Sequence, residues 1–345
     1  MSEPLDSLGF FAAARRVPEQ AEAALLAAQD SPLPDVGDPD AIVVVGAGAS
    51  GWSAEVVAAT AAPVSPLPVV VESSGALPAF VSGATVVLAL SLHGEESETL
   101  ATAAAAAAAG AQLVVIAAGG TLTQRAADWG AATVTVDGSI PHARAALGAL
   151  VTAPLVVLDR LGLVPGTELA LDRAIAQLHR RRTDLFDAVA GGDVDAPRLA
   201  RRIGRSIPVI YGAGTVGLLA ARRWKQQCNA NAKIPAFSAA LPGLAHDEIS
   251  GWGQHGDVTR QVLSAVLLHH DLEPVSGEPF TQLLEILDES VGAVHEVKAS
   301  GEGALAQLLD LAYIGDVVSL YLAAQEGLDP GPAPALDLLP GRAVR

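Results

Sequence analysis

The chain has 345 residues, of which 50% are hydrophobic and 17% charged, and its formal net charge is −17. This composition excludes a disordered chain, and the acidic balance disfavours nucleic acid and anionic membranes as partners, because both require a basic patch. A single cysteine, Cys228, excludes a disulfide framework and a cysteine-based metal cluster. The sequence shows no signal peptide and no apolar run of membrane-spanning length, so a cytoplasmic protein is expected.

The first half of the chain alternates between strand and helix patterns. A helix over residues 8–29, restarted at Pro18, precedes a linker over 30–40. Short continuous apolar runs follow, and they are typical of strands buried on both faces of a sheet. The predicted strands are residues 41–45, 68–72, 85–90, 113–117 and 132–136, with a helix over 98–109 between the third and fourth. This order predicts a parallel sheet covered by helices.

The same unit recurs in the second half. An apolar strand, a G-A-G-x-x-G turn and a helix occur at residues 41–51 and again from 207. Strands at 263–268 and 293–297 extend the second sheet, and a helix near 168–189 followed by a linker at 191–197 joins the two copies. The last helix is predicted to end at residues 329–332. We therefore predict an α/β protein with two parallel sheets.

Each glycine turn places backbone N–H groups at a helix N-terminus, which suits a phosphate or another anion. The first turn also fits a dinucleotide fingerprint, because Glu72 lies about twenty residues after Gly51 and is placed to hold a ribose hydroxyl. The second copy has Phe237 near the matching offset and no acid. Tight strand-to-helix packing and anion binding remain equally good interpretations, and a nicotinamide cofactor is the weaker one.

One segment is far more specific than the glycine turns. Residues 221–253 read ARRWKQQCNANAKIPAFSAALPGLAHDEISGWG, and shorter matches include SLHGEESET at 91–99 and HARAALG at 142–148. These motifs resemble those of the bifunctional phosphoglucose/phosphomannose isomerases, which contain two sugar isomerase (SIS) domains. The resemblance extends over nearly the whole chain.

The resemblance implies two SIS domains, each a five-stranded parallel sheet in a three-layer α/β/α sandwich, and a homodimer. The implied boundaries are an N-terminal helical segment (1–37), a first SIS domain (38–160), a helical linker (161–200) and a second SIS domain of the isomerase C-terminal type (201–345). The family interconverts glucose 6-phosphate or mannose 6-phosphate with fructose 6-phosphate. It needs no metal or organic cofactor.

The family's site residues carry over unevenly. His246 stands at the ring-opening histidine, and Arg144 at the arginine that stabilises the enediolate. The residue that moves the proton is a glutamate in the family and Ala230 here. The implied phosphate-binding residues are Gly48, Ala49, Ser50, Ser91, His93 and Glu96.

The phosphate loop also departs from the family's S-x-S-G-x-T pattern. Its second serine is His93, and its threonine is Glu96. A carboxylate in this loop repels a phosphate. The family's lysine near the C-terminus aligns with Pro340. Together the substitutions predict a degenerate site, that is, a pseudoenzyme.

Several other side chains have a functional and a structural interpretation. His93, Glu95 and Glu96 can hold a divalent metal or a cationic ligand, but a solvated acidic loop is preferred. His246 and Glu248 can form an acid–base pair, although packing is the safer role for Glu248. Four cations, which can face a sugar phosphate or lie on a helix surface, form the densest basic cluster: Arg222, Arg223, Lys225 and Lys233.

Three functions remain open at this stage. The first is a degenerate family member that binds a sugar phosphate or a related carbohydrate derivative. The second is a working isomerase with a substitute base, for which Glu95, Glu96, Glu248 and His93 are candidates. The third is a dinucleotide-dependent oxidoreductase that uses the first glycine turn and Glu72.

Overall fold

The computed structural model describes residues 4–187, 194–272 and 280–337. The chain forms two compact units. The first-sheet unit comprises Arg16–Asp172 and Pro334–Arg345, and the second-sheet unit comprises Met1–Arg15 and Arg173–Ala333.

The first-sheet unit contains a five-stranded parallel sheet in the order β2-β1-β3-β4-β5. Every predicted strand of this sheet is confirmed, and β1 and β3 are buried along their whole length. The strands are β1 (Ala41–Gly46), β2 (Val69–Glu72), β3 (Thr85–Leu90), β4 (Gln112–Ala117) and β5 (Ala132–Thr135).

Helices cover both faces of this sheet. Val43, Val87 and Val115 face a core that includes residues of α4 and α5, whereas α3 and α6 pack on the other face. The predicted helix break at Pro18 is confirmed, since this proline lies in the first turn of α2. The helices are α2 (Val17–Asp30), α3 (Gly48–Ala61), α4 (Ser97–Ala108), α5 (Gly120–Asp128) and α6 (Leu147–Arg160).

The second-sheet unit repeats this arrangement with one strand fewer. Its parallel sheet has the order β7-β6-β8-β9, which matches the order β2-β1-β3-β4 of the first sheet. The prediction of a fifth strand is wrong for the described residues, because they contribute four strands to this sheet. The strands are β6 (Ile207–Ala213), β7 (Phe237–Leu241), β8 (Leu263–His269) and β9 (Val294–Lys298).

The second sheet is also covered on both faces. Val209, Tyr211 and Leu267 face a core completed by α11, and α9 and α12 pack on the opposite face. The helices are α1 (Phe10–Arg15), α8 (Ala196–Ile203), α9 (Gly214–Gln227), α10 (Gly256–Val262), α11 (Thr281–Ser290) and α12 (Ala304–Gln325). The chain passes from one unit to the other within α7 (Thr167–Phe186).

Helices lie within or directly after two segments that are predicted to be irregular. Part of the predicted linker at 191–197 lies outside the described residues, but its end belongs to α8, which Asp195 caps by accepting a hydrogen bond from Arg198 N at 2.8 Å. Pro197 occupies the first turn of this helix, where its missing N–H is harmless. The segment at 329–332 likewise does not end the last helix, because α13 (Pro334–Asp337) follows it.

The motif R-R-W-K holds α9 against α12. Arg223 forms a buried, bidentate ion pair with Asp316, with both N···O distances 2.8 Å. Trp224 donates to the carbonyl of Leu311 at 2.7 Å. A Cβ atom at Gly315 would lie 2.4 Å from the Trp224 ring, so glycine is required there. Half of this motif therefore has a structural role.

Helix α12 carries a second buried ion pair. Asp310 accepts hydrogen bonds from Arg181 through both carboxylate oxygens, at 2.7 and 2.8 Å. Gln177 and the backbone N–H of Ser300 donate to the same carboxylate, each at 2.8 Å. All of its lone pairs are thus engaged away from water, as a buried charge requires.

The length and composition of α12 would also allow it to cross a membrane. The expectation that the sequence has no continuous apolar run of this length still holds for α12, because Asp310 and Asp316 interrupt it. In addition, 94% of its most apolar window is buried inside the protein. Its apolar residues thus belong to a core helix.

His295 makes the fold sensitive to acid. It lies on β9 with 3% of its surface exposed, and neither ring nitrogen has a hydrogen-bond partner among the described residues. Burial, and then the charge of Arg202, lower its pKa to about 4. The neutral ring is therefore the form that the folded state holds.

We expect His295 to reduce stability as the pH falls. Protonation in the unfolded chain begins near its ordinary pKa of about 6.5, so stability is lost below that pH and the loss levels off near pH 4. At about 1.4 kcal/mol per pKa unit, the loss reaches up to about 3 kcal/mol. Urea unfolding at pH 7 and pH 4.5 measures it. His295→Leu should flatten the dependence, whereas His255→Gln, at an exposed position, should not; equal slopes in all three proteins would contradict the assignment.

Candidate functional site

The two glycine turns have the same backbone geometry. Gly46 and Gly51 are in such close contact that a Cβ atom on Gly51 would lie 2.8 Å from the carbonyl oxygen of Gly46. Gly212 and Gly217 make the equivalent contact, with a distance of 2.8 Å from the Cβ position on Gly217 to the Gly212 backbone. Tight strand-to-helix packing therefore accounts for the outer glycines of both motifs. Gly48 begins α3 with φ +56°, which favours glycine.

The first turn also presents an unsatisfied hydroxyl. Ser50 lies in the first turn of α3, is fully buried, and its Oγ has no hydrogen-bond partner among the described residues. Ala49 lies beside it in the same turn. Thr99, in the first turn of α4, has an equally buried Oγ without a partner in the described part of the chain. Hydroxyls at helix N-termini suit an anionic ligand.

The loop after β3 is occupied by its own carboxylate. Gly94 N donates to Ser91 Oγ at 2.8 Å, and Ser91 Oγ in turn donates to Glu96 Oε2 in a very short contact. The Gly46 and Leu90 ends of β1 and β3 are paired in register, so Ser50 and this loop lie at the same sheet edge. The carboxylate of Glu96 thus holds the hydroxyl that a phosphate would need.

Glu95 points to a different place. Its two carboxylate oxygens accept hydrogen bonds from the N–H and the hydroxyl of Thr121, both at 2.9 Å, at the start of α5. A negative charge at this helix N-terminus is favourable. The two adjacent glutamates, which the sequence does not distinguish, therefore have different roles: Glu95 caps a helix and Glu96 closes the loop.

Arg144 lies in the same unit and is 6% exposed. It belongs to a short helical turn capped by His142, whose Nδ1 accepts from Arg144 N at 3.2 Å. Burial, then the charge of Arg144, then that of His93, lower the pKa of His142 to about 3. His142 is thus a neutral ring beside two candidate site residues. The sequence interpretation missed it, although the HAR motif contained it.

The acid proposed to hold a ribose is engaged elsewhere. Glu72 Oε1 accepts hydrogen bonds from the N–H and the hydroxyl of Ser74, at 2.5 and 2.6 Å. It therefore closes the turn that follows β2.

The remaining predicted residues lie in the second-sheet unit. Ala230 is half-buried in a wide helical turn, Cys228–Ala232, that continues α9. Because α9 starts at the carboxyl end of β6 and runs back along it, Ala230 lies towards the amino edge of the sheet. His246 is exposed and follows the turn after β7, at the carboxyl edge. β7 spans about 16 Å at roughly 3.3 Å per residue.

Glu248 belongs to a polar network. Tyr211 donates its phenol hydrogen to Glu248 Oε1 at 2.6 Å, and Trp252 Nε1 donates to the Tyr211 oxygen at 3.1 Å. Burial, and then Glu248, raise the pKa of Tyr211 well above its usual value. Burial also raises the pKa of the Cys228 thiol to about 12, which agrees with an inert thiol.

The four basic residues of the sequence cluster separate in the structure. Arg223 is used in the buried ion pair with Asp316. The Nζ atom of Lys233 donates hydrogen bonds to the carbonyls of Asn231, Asp329 and Pro330, at 3.0, 2.6 and 3.1 Å. The other two, Arg222 and Lys225, line a groove.

No group of three His, Cys, Asp or Glu side chains within residues 4–187, 194–272 and 280–337 is placed to hold a metal ion. Pro340, the position expected to have lost a lysine, lies outside these residues.

Two family descriptions match the chain. The SIS domain matches residues 38–161, and the bacterial phospho-glucose isomerase C-terminal SIS domain matches residues 193–342. The bifunctional phosphoglucose/phosphomannose isomerase of Caldicellulosiruptor bescii is 28% identical over 304 residues, which are 88% of this chain and 89% of that protein. The protein of the same name from Aquifex aeolicus is 27% identical over 76% of this chain and 77% of its own length.

A solved structure shares the fold. The C-terminal domain of glucosamine-fructose-6-phosphate aminotransferase from Francisella tularensis has a TM-score of 0.71, with 93% of this chain and 96% of that chain covered. The sequence identity is 12%, so this likeness concerns the fold alone.

Proposed function

Because the chain belongs to the phosphoglucose/phosphomannose isomerase family of SIS-domain proteins, we propose that it is a degenerate member of that family. It binds a sugar phosphate or a related carbohydrate derivative, and it has little isomerase activity. A cytoplasmic location and the use of no organic cofactor belong to the same proposal, since the family's proton transfer between two carbons needs no redox group.

The side chain at position 230 supports the proposal most directly. Aldose–ketose isomerisation moves a proton between C1 and C2, and the methyl group of Ala230 cannot accept one. General acid–base catalysis is usually worth roughly 10²–10⁴ in rate. The contact of Glu96 with Ser91 adds a second loss, because it places a carboxylate in the loop that binds phosphate in the family.

A working isomerase with a substitute base is the rival interpretation. Two of its four candidates are held by other groups: Glu95 by Thr121, and Glu248 by Tyr211. Glu96 and His93 remain in the phosphate loop, where a base would compete with the phosphate itself. These contacts favour the degenerate site.

The class of ligand that the protein binds distinguishes this proposal from the oxidoreductase hypothesis. A ligand that binds only the folded protein raises its melting temperature by mass action. We expect millimolar glucose 6-phosphate or fructose 6-phosphate to raise it, and NAD or NADP at the same concentration to leave it unchanged. A shift with the dinucleotides alone would favour the oxidoreductase, in spite of the occupied oxygen of Glu72.

We also propose a homodimer. Within one chain, Ala230 and His246 lie towards opposite edges of the second sheet. In the family, the residues at these two positions act on one sugar. Two chains can therefore bring the two positions together more easily than one chain can. Sedimentation at micromolar concentration should give twice the mass of 34.9 kDa, whereas a monomer would contradict this part of the proposal.

A further inference from the structure

Three exposed arginines form a stripe on α8. Arg198, Arg201 and Arg202, the arginine stripe, have the i, i+3, i+4 spacing of one helix face. The opposite face of α8 is buried against α12. With Arg205, which follows the helix, four arginines lie within eight residues, a denser set than the predicted basic cluster at residues 222–233.

Helix α11 carries the same pattern with the opposite charge. Glu285, Asp288 and Glu289, the acidic stripe, are exposed and again have the spacing i, i+3, i+4. The other face of α11 packs into the core of the second sheet. Arg260 donates to the carbonyl oxygen of Asp288 at 2.9 Å, which is a contact with the backbone and not with the carboxylate. Because α8 packs on α12, the two stripes lie on opposite sides of the second sheet and cannot pair within one chain.

The charges of the two stripes oppose the stability of their own helices. Like charges three and four residues apart repel each other. The helix dipole favours Arg201 and Arg202 in the last turn of α8, but it disfavours Arg198 in the first turn. It also disfavours Asp288 and Glu289 in the last turn of α11. No ion pair formed between described residues includes a side chain of either stripe.

We propose that the arginine stripe of one copy of this chain binds the acidic stripe of a second copy. The two stripes have the same spacing and opposite charges, so three guanidinium groups can face three carboxylates along two helices. Because the stripes lie on opposite sides of the sheet, the contact is head-to-tail, and each added copy leaves a stripe open to the next. The contact is separate from the proposed homodimer and does not depend on the proposed ligand.

A second copy fits the arginine stripe better than a nucleic acid does. The formal net charge of the chain is −17, so a long polyanion that reaches past the stripe is repelled by the remaining surface. At 1.5 Å per residue, each stripe spans only about 6 Å, or one helix turn. The acidic stripe therefore matches the arginine stripe in length as well as in charge.

Sedimentation velocity of the full-length protein at rising concentration tests the contact. Exposed ion pairs are individually weak and are screened by salt, so we expect association above roughly 100 µM protein at about 20 mM salt. It should be lost at about 1 M salt, where the Debye length falls to about 3 Å. The species that remains at high salt reports on the proposed homodimer, so the two proposals can fail separately. Association that persists unchanged at high salt would contradict the contact between the stripes.

Reversing one charge of the arginine stripe should weaken the association roughly tenfold or more, because a like charge then faces the acidic stripe. Arg201→Glu is this variant. Arg125→Glu changes an exposed cation on α5 and alters the net charge by the same amount. It is the matched control and should associate like the wild type. Equal effects of the two variants would show that net charge, and not the stripe, determines the association.

A mixing experiment gives the sharpest test. The two double variants are Arg201→Glu/Arg202→Glu and Asp288→Arg/Glu289→Arg. Each alone should fail to associate, since its two stripes then have the same sign. An equimolar mixture should associate again, because every stripe of one variant meets the opposite charge on the other. A mixture that stays dissociated, while both variants melt like the wild type, would overturn the proposal.

Chemical cross-linking locates the contact without disturbing its charges. Arg201→Lys should still associate, and a carbodiimide should couple its amine to a carboxylate of the acidic stripe. Mass spectrometry of a mixture of isotope-labelled and unlabelled chains shows that the link joins two copies. Association without this cross-link would reject the contact. If duplex DNA binds the wild type but not Arg201→Glu, and the chains do not associate, the stripe is instead a nucleic-acid site.

Discussion

Ala230→Glu alone is expected to leave isomerisation of fructose 6-phosphate far below the activity of the family. The variant restores a carboxylate able to move the proton, but the substrate's phosphate must also be held. Ser91, which would donate to that phosphate, donates to Glu96 instead. Catalysis requires the reacting atoms to be within about 3–3.5 Å of each other, so a base without a positioned substrate contributes little.

The triple variant Ala230→Glu/His93→Ser/Glu96→Thr should exceed Ala230→Glu by roughly 10–100-fold in kcat/KM. A phosphate that accepts from Ser91 would lie close to the Glu96 carboxylate, which contacts the same hydroxyl. At an effective dielectric of about 20, two unit charges about 4 Å apart repel by about 4 kcal/mol. The base and the phosphate-binding residues stabilise the same transition state, so the effects of their substitutions on kcat/KM should not be additive.

Glu95 provides the matched control for this series. It is adjacent in sequence to Glu96, but its carboxylate is bonded to Thr121 at the start of α5. A triple variant that carries Glu95→Gln in place of Glu96→Thr should therefore lack the gain in kcat/KM over Ala230→Glu. If Ala230→Glu alone gave full activity, the interpretation of the loop as closed by Glu96 would be wrong.

Arg181→Met is expected to destabilise the protein by about 3–5 kcal/mol, the largest effect on stability that we anticipate. Asp310 is fully buried, and without the guanidinium its charge keeps, among the described residues, Gln177 and the Ser300 N–H as partners. Removing one member of a buried ion pair leaves an uncompensated charge in the interior. The free energy of unfolding in urea measures the loss.

Two further variants test this explanation. Arg181→Met/Asp310→Leu should lose less than Arg181→Met, because no unpaired charge remains. Arg205→Gln breaks an exposed pair with Glu326, whose N···O distance is 3.5 Å, and should change stability by less than about 1 kcal/mol. Equal losses in Arg181→Met and Arg205→Gln would show that burial does not determine the effect.

Sequence patterns predicted correctly the strands that are buried on both faces of the sheet. β1 and β3 are continuous apolar runs buried on both faces, and residues 85–90 were predicted to their exact ends. β7 was missed because its sequence FSAAL lacks β-branched residues and has an exposed phenylalanine. α8 was missed because the proline and aspartate of this segment indicate a loop. In the structure, Asp195 caps α8 and Pro197 lies in its first turn.

The candidate site was predictable in residue types but not in contacts. The sequence placed Ser91 and two glutamates in one loop, but only the structure shows that Glu95 bonds Thr121 and Glu96 bonds Ser91. Likewise, the basic cluster gave no indication that Arg223 pairs with Asp316 in the interior. Such partners are distant in sequence, and no local pattern encodes them.

The most direct measurement of the central proposal is turnover of fructose 6-phosphate by the wild-type protein, followed in both directions by a coupled assay. The bifunctional isomerase from Caldicellulosiruptor bescii, to which the chain is 28% identical, is the positive control under the same conditions. The account predicts a rate near background, because Ala230 supplies no base. Turnover on the order of 10 s⁻¹, typical of enzymes, would contradict it and establish a substitute base.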